Sequence, residues 1–367
     1  MRIAYVCVDP GIPVFGSKGA SVHIQEVVRE LIARGHEVKI FATRSGKQVP
    51  ADIADVPLAL YRIETKDAGE RERAQQQVAS RMVADLQEWG ADFIYERYSL
   101  FSTVLADSGL PGVLEVNAPL IEEQKTHRVL VHKDLAHDAL ERQVTSASAV
   151  IAVSDQVRSW VEQKVVGAQV TTVPNGVSIS RITPSPESEQ GVIVTFVGTL
   201  KPWHGVSDLL AAAALAQQPW QLRILGDGPE REALENQAVQ LGLNIDFAGA
   251  IAPEDMPAAI AGSAVGVAPY PAPADNSEHY FSPLKVYEYL AAGLPVVATG
   301  IGQIPQTIEG AGTLVPGSDP QALARAIDEL AANPQLRATY GARARELAVQ
   351  KHSWEQAVTR ILTLAGF

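Results

Sequence analysis

Short apolar runs alternate along the chain with longer segments of helical period, and the alternation is played through twice. Ile3 to Val8 is continuously apolar, as expected for a strand covered on both faces. A Gly/Pro-rich loop, Pro10 to Gly19, leads into Ser21 to Arg34, whose inward stripe is Val27, Val28, Leu31 and Ile32. Gly35 ends that helix and Glu37 to Thr43 supplies the next strand. Strand, glycine loop, helix, strand opens a parallel α/β sheet. Glu70 to Trp89 is a long polar helix with an apolar minority, and strands resume at Phe93 to Tyr95 and Val113 to Val116. Glu122 to Arg142 reads as one solvated, partly basic helix. Ala149 to Val153 and Val170 to Val173 are the remaining strands of this half, closed by the turn Pro174-Asn175-Gly176.

Arg181 to Gly191 is polar, contains proline and has no period, so it reads as a linker. The alternation then restarts. Val192 to Val197, Gln221 to Leu225, Ile245 to Phe247 and Ala264 to Pro269 are strands, separated by helices from Val206 to Ala216, up to Leu241, and after Pro253. Helices at Asp319 to Ala332, Pro334 to Val349 and Trp354 to Leu364 complete the chain. The pattern predicts two successive parallel α/β units of similar size, with ligands at the carboxyl ends of the strands.

One stretch carries more chemistry than the rest, Asp275 to Thr299. A polar loop without period, Asp275 to Tyr280, meets Ser282 and Pro283; Leu284 to Ala292 reads as a helix, stopped by Gly293, and Pro295 to Thr299 as a buried strand. Pro283 is expected in the first helical turn. A helix start with Lys285 one turn in favours an anion, most simply a phosphate. Glu288 shares a helix face with Lys285. Placed beside a phosphate, it would be suited to accepting hydrogen bonds from ribose hydroxyls. On these residues alone, a Lys–Glu pair on the surface of an ordinary helix reads equally well.

Charge and composition narrow the field. A length of 367 residues favours two domains, and 46% apolar with 20% charged residues is ordinary for a globular enzyme. A formal charge of -12 argues against non-specific nucleic-acid binding. Cys7, the single cysteine, lies in the first apolar run and reads as a buried structural thiol. Met1-Arg2 leads directly into a strand, so no signal peptide is expected. No window approaches the roughly 20 apolar residues of a membrane span, and a soluble, cytoplasmic protein follows as the expectation. His127, His132 and His137, with Lys125, Arg128 and Lys133 between them, match no metal-ligand spacing.

Five segments come in one order: Val173-Pro174-Asn175-Gly176-Val177, Gly198-Thr199-Leu200-Lys201-Pro202-Trp203-His204-Gly205, Gly226-Asp227-Gly228-Pro229, Glu254-Asp255-Met256-Pro257, and the block from Ser282 to Gly293. Together they resemble the retaining GT-B glycosyltransferases of family 4, of the bacterial exopolysaccharide and cell-envelope type, over nearly the whole chain. The resemblance implies two Rossmann-like doubly wound domains facing across a cleft. Residues 1–180 would bind the acceptor, joined by a last helix, 352–367, that packs back on them; residues 181–351 would bind a nucleotide-sugar donor. It places Glu288 on the donor ribose, the backbone near Ser282 and Leu284 on the diphosphate, and Ile251 at the base. Gly198 and Gly226 fall in the donor loops, and Gly19 would let the first domain's loop approach the phosphates.

Three positions depart from the family pattern. Tyr280 stands where the earlier glutamate of the E-x7-E motif belongs, Thr199 replaces an arginine and His204 a lysine. Lys201 and Lys285 are the cations left to offset the leaving diphosphate. Glu278, His279 and the backbone around Tyr280 then become the candidates for donor-sugar hydroxyls. Asn117 is expected beneath the anomeric centre, with Arg97 and Glu122 near the acceptor, although loop hydrogen bonding explains the last two equally well. The function implied is retaining transfer of a hexose, with UDP-glucose as the leading donor, to a glycan or lipid-linked acceptor. No metal or other cofactor is required, no nucleic acid takes part, and peripheral contact with the inner face of a membrane stays open. A sugar-nucleotide 2-epimerase and a non-catalytic sugar-nucleotide sensor are the rival readings.

Overall fold

The computed structural model describes residues 1–127, 129–272 and 279–367. Arg128 and most of the polar loop before Tyr280, Asp275 and Glu278 included, lie outside the described residues. Two compact units make up the chain: Met1–Pro174 with Tyr280–Ser282 and Trp354–Phe367, and Asn175–His279 with Pro283–Ser353.

The first unit is built from β1 (Arg2–Cys7), α1 (Gly19–Ala33), β2 (Glu37–Ala42), β3 (Leu58–Leu60), α2 (Ala68–Trp89), β4 (Phe93–Arg97), α3 (Val104–Ser108), β5 (Gly112–Val116), α4 (Leu120–His127), α5 (Lys133–Ser146), β6 (Ala149–Ala152), α6 (Asp155–Lys164) and β7 (Val170–Thr172). Its seven strands are all parallel and lie in the order β3-β2-β1-β4-β5-β6-β7. Alternation along the strands sorts the side chains onto two faces. Ala4, Val6, Ile94, Leu114 and Val116 pack with Val78, Met82, Leu105, Leu140, Val157 and Val161 from the helices on one face. Tyr5, Cys7, Tyr95, Arg97 and Glu115 point to the other.

The second unit comprises β8 (Ile193–Val197), α7 (Val206–Ala214), β9 (Gln221–Leu225), α8 (Arg231–Gln240), β10 (Asp246–Gly249), α9 (Met256–Ile260), β11 (Val265–Ala268), α10 (Leu284–Ala291), β12 (Val296–Thr299), α11 (Ile304–Thr307), β13 (Gly312–Val315), α12 (Pro320–Ala332) and α13 (Pro334–Lys351). Its six strands are again all parallel, in the order β10-β9-β8-β11-β12-β13. Val194, Phe196, Ile224, Val265 and Val297 join Leu209, Leu210, Leu323 and Ile327 in its core. The last helix, α14 (Trp354–Leu364), belongs to the first unit, where it packs on α1. There Trp354 meets the edge of His23, ring centroids 4.8 Å apart, and Arg34 donates to the Glu355 carbonyl at 2.6 Å.

Several elements differ from the sequence expectation. The helix read from Glu122 to Arg142 is two helices. Glu72, buried on α2, accepts from the backbone N–H groups of Val131 and His132 at 2.9 and 2.7 Å and so caps the start of α5 from outside. Pro283 is the residue before α10, with φ -78° and ψ 109°, and not part of its first turn. Strands β3 and β13 and helix α6 have no counterpart in the sequence reading. The two strands are three and four residues long at sheet edges, and α6 carries few apolar positions.

Candidate active site

In the second sheet the strand order reverses between β8 and β11, which opens a crevice at their carboxyl ends. The loop from Gly198 to Gly205 follows β8, and Tyr270 stands just beyond β11. Helix α10 is fixed against these strands by Tyr289, whose hydroxyl accepts from the Val197 N–H at 2.8 Å and donates to the Val267 carbonyl at 3.1 Å. Among the described residues no side chain caps the start of α10, and no acidic residue lies in its first turn, so the positive end of the helix favours an anion there.

Lys285 rises from that first turn into an aromatic box. Its Nζ lies 4.3 Å from the centre of the Phe196 ring and 5.0 Å from that of Tyr270. The residue is 7% exposed, and its ammonium has no hydrogen-bond partner among the described residues. Burial lowers its pKa to about 7, against a smaller opposing pull from Glu288. Gly198 leaves the space the ammonium needs: a Cβ there would stand 2.9 Å from Nζ, and its φ of +149° suits glycine. Gly226, at φ +158°, abuts the same loop; a Cβ on it would sit 1.8 Å from the Gly198 carbonyl oxygen. The site thus brings together a buried cation with no hydrogen-bond partner among the described residues, a helix start and two glycine loops, each of which favours an anion.

The neighbouring groups refine this picture. His204 Nδ1 faces the Thr199 carbonyl oxygen at 2.5 Å and so carries the ring proton, leaving Nε2 as an acceptor. Burial, then the charge of Lys285, lowers the His204 pKa to about 3. His204 is therefore a neutral hydrogen-bonding ring and not a cation standing in for lysine. Lys201 is half-buried and its Nζ lies 4.4 Å over the Trp203 ring. Glu288 and Leu284 are half-buried on α10, and Ile251 is half-buried just after β10.

His279 is grouped with the second unit, and the remaining expected residues lie in the first. Tyr280 and Ser282 are grouped there and not with Lys285. Ser154 Oγ donates to the Tyr280 carbonyl at 2.5 Å, and the Tyr280 hydroxyl donates to Glu123. Glu122 accepts from Trp160 Nε1 at 2.5 Å and pairs with Lys164 at 2.7 Å. Gly19, exposed, opens α1. Arg97 closes β4 and Asn117 directly follows β5. Beside Arg97, buried Glu115 lies 2.9 Å from His23 Nε2. Burial opposes ionisation of Glu115, but His23 and Arg97 together hold its carboxyl below the usual range. The aromatic walls Phe196 and Tyr270 and the His23–Glu115 pair were missed in the sequence, where each reads as an ordinary core or helix residue. Among the described residues there is no cluster of His, Cys, Asp or Glu that could hold a metal ion, and no helix is long and apolar enough to cross a membrane.

Two family models match the chain: Glycosyltransferase Family 4 over residues 17–181 and Glycosyl transferases group 1 over residues 191–333. The chain belongs to family 4 of the glycosyltransferases, with the GT-B pair of Rossmann-like domains. It is 32% identical over 222 residues to a phosphatidyl-myo-inositol mannosyltransferase of Mycobacterium leprae, a match spanning 58% of this chain and 57% of that protein. The chain thus spans little more than half the length of that relative. A D-inositol 3-phosphate glycosyltransferase of Jonesia denitrificans is 26% identical over 99% of this chain and 95% of its own length. Among solved structures, Anabaena HepE in complex with UDP and glucose superposes with a TM-score of 0.76 at 21% identity, all of both chains being covered. That likeness is one of fold.

Proposed function

We propose that the chain is a retaining glycosyltransferase that moves a hexose from a nucleotide diphosphate sugar to a hydroxyl of a glycan or glycolipid acceptor. The observation that carries this reading is Lys285, a buried ammonium with no hydrogen-bond partner among the described residues, at the switch point of the second sheet. A diphosphate placed there would meet the Lys285 charge, the start of α10 and the backbone around Gly198. Glu288, one turn further along α10, would accept hydrogen bonds from the ribose hydroxyls. Neutral His204, with Nε2 free to accept, is suited to a hydroxyl of the donor sugar and not to its phosphates.

In the step itself the C1–O bond to the diphosphate breaks and a bond from the acceptor oxygen forms on the same face of the sugar. The acceptor's proton passes to the leaving phosphate oxygen. The protein's contribution is positioning and stabilisation of the developing negative charge, to which Lys285 and Lys201 are suited. This reading needs no divalent metal. UDP-glucose is the first donor to test and GDP-mannose the second, after the mannosyltransferase relative.

The test is nucleoside diphosphate release from UDP-, GDP-, ADP- and dTDP-sugars, with wild type beside Lys285→Met and Glu288→Ala. One sugar is expected to support release that survives EDTA and falls about 100-fold or more in the Lys285 variant. Tight binding without release, even with crude glycan acceptor added, would replace the transferase by a sugar-nucleotide sensor.

A further inference from the structure

The ammonium of Lys285 has little room to move. A Cβ on Gly198 would stand 2.9 Å from its Nζ, and the centre of the Phe196 ring is 4.3 Å away. A shift of about 1 Å takes such a group out of its working position. Helix α10, which carries it, is eight residues long and has no side-chain cap at its start among the described residues. It is held instead from its middle and its far end. In the middle, Tyr289 bonds Val197 and Val267.

The far end is held by Arg345 of α13. Its Nη1 donates to the carbonyls of Ala291 and Ile182 at 2.8 and 2.9 Å, and its Nη2 to the Ile179 carbonyl at 2.8 Å. Ala291 is the last residue of α10, where carbonyls lack partners within the helix and a cation suits the dipole. Ile179 and Ile182 lie in the segment by which the chain enters the second unit after Pro174. That segment is pinned in turn at Val177, whose N–H donates to the His352 carbonyl just past α13 at 2.9 Å. Glycine lets α13 come this close: a Cβ on Gly341 would lie 2.4 Å from the Gly293 carbonyl oxygen. One guanidinium thus joins three carbonyls from two segments, which a planar fork can do and a lysine point charge reproduces only in part.

We propose that Arg345 is a positioning residue for Lys285: by tying the far end of α10 to the entry segment of the second unit, it sets where the ammonium stands in the crevice. At a rise of about 1.5 Å per residue, Tyr289 stands about 6 Å along the axis from Lys285 and about 3 Å from Ala291. With Tyr289 as the fixed point, a tilt at the Ala291 end moves the Lys285 end about twice as far. The proposal rests on the donor reading only where nucleotide binding is concerned.

A double-mutant cycle on the full chain without ligand tests it, by scanning calorimetry at pH 6 and pH 11. In the wild-type background Lys285→Met removes a desolvated ammonium, so its gain in melting temperature is larger at pH 6, where the group is charged, than at pH 11. In an Arg345→Met background that pH-dependent gain should fall by about half or more, because a displaced ammonium is better hydrated, and in Arg345→Lys it should fall less. Arg337→Met on the same helix is the control. Arg337 bonds the Leu330 and Ala331 carbonyls at the end of α12 and pairs with Glu187, so its loss weakens the unit without releasing α10. An unchanged gain in the Arg345→Met background, or the same fall in Arg337→Met, overturns the proposal. If Arg345→Met melts too early to be read, Arg345→Lys decides: an unchanged gain overturns the proposal and a reduced gain supports it. Titration with UDP and GDP adds the link to the donor. The nucleotide that binds wild type should bind Arg345→Met about 10-fold more weakly and Arg337→Met as before. Unchanged affinity in Arg345→Met overturns the proposal as well. Failure of both nucleotides to bind wild type would remove the donor reading, and the cycle without ligand would still decide whether Arg345 positions Lys285.

Discussion

Lys285 shows how a residue's role depends on what its neighbours withhold. Phe196 and Tyr270 offer ring faces but no carboxylate, and the pull of Glu288 is smaller than the cost of burial, so the charge is tolerated but only partly compensated. The stability consequence has a definite sign. Lysine's ordinary pKa is 10.5 and Lys285 in the fold lies at about 7. The unfolded chain therefore binds the proton more strongly, and the cost of folding grows as pH falls from about 10.5 and is fully present below about 7. Lys285→Met should abolish donor turnover and raise the melting temperature, by more at pH 6 than at pH 11; scanning calorimetry at the two values reads the difference. A lower melting temperature at pH 6 would mean that the ammonium is compensated in the free protein. In the sequence Lys285 was legible as a cation near a helix start, because proline, lysine and glycine punctuate that stretch. Its burial was not, since that depends on Phe196 and Tyr270 arriving from other strands. The state of His204 was hidden for the same reason: only packing shows that its ring is dry and its Nδ1 proton committed to Thr199.

At the scale of elements, α10 is the part on which the site depends. Tyr289 ties it to β8 and β11 through a hydroxyl that both accepts and donates. Tyr289→Phe leaves the buried Val197 N–H and Val267 carbonyl without that partner and should cost about 1–3 kcal/mol, measured by urea unfolding. A loss below about 0.5 kcal/mol would show that the two backbone groups find other partners. The strands that could be read were those whose apolar runs are long and buried on both faces, such as Ile3 to Val8 and Val192 to Val197. Strands β3 and β13 were lost because an edge strand of three or four residues gives no period to read. The break between α4 and α5 was invisible for a different reason. Its cause is Glu72, some 60 residues away in sequence, which satisfies backbone groups that a continuous helix would have used internally.

At the scale of the molecule, one plan is used twice: a parallel sheet doubly wound in the same order. That doubling was legible from the restart of the strand–helix alternation after Gly191. Less legible was the membership of the last helix, which the resemblance alone implied for the first domain. In the structure its Trp354 meets His23 and the terminal Phe367 meets Phe93, ring centroids 4.7 Å apart. Trp354 is 3% exposed, so Trp354→Ala should destabilise the first unit by about 3–5 kcal/mol. Hydrogen exchange should show the loss in α1 and β1 and spare β8 to β11; uniform loss over both sheets would mean that the helix supports more than its own unit.

The central claim is that Lys285 is the charge that receives the donor's diphosphate. An anion beside Nζ must raise its pKa from about 7, so binding near pH 7.5 has to take up a proton. Calorimetric titration with UDP and GDP at that pH, in two buffers of different ionisation enthalpy, measures the uptake directly. The account predicts a substantial fraction of one proton taken up on binding, absent in Lys285→Met together with most of the affinity. Binding with no buffer dependence, and equally tight in Lys285→Met, would contradict it.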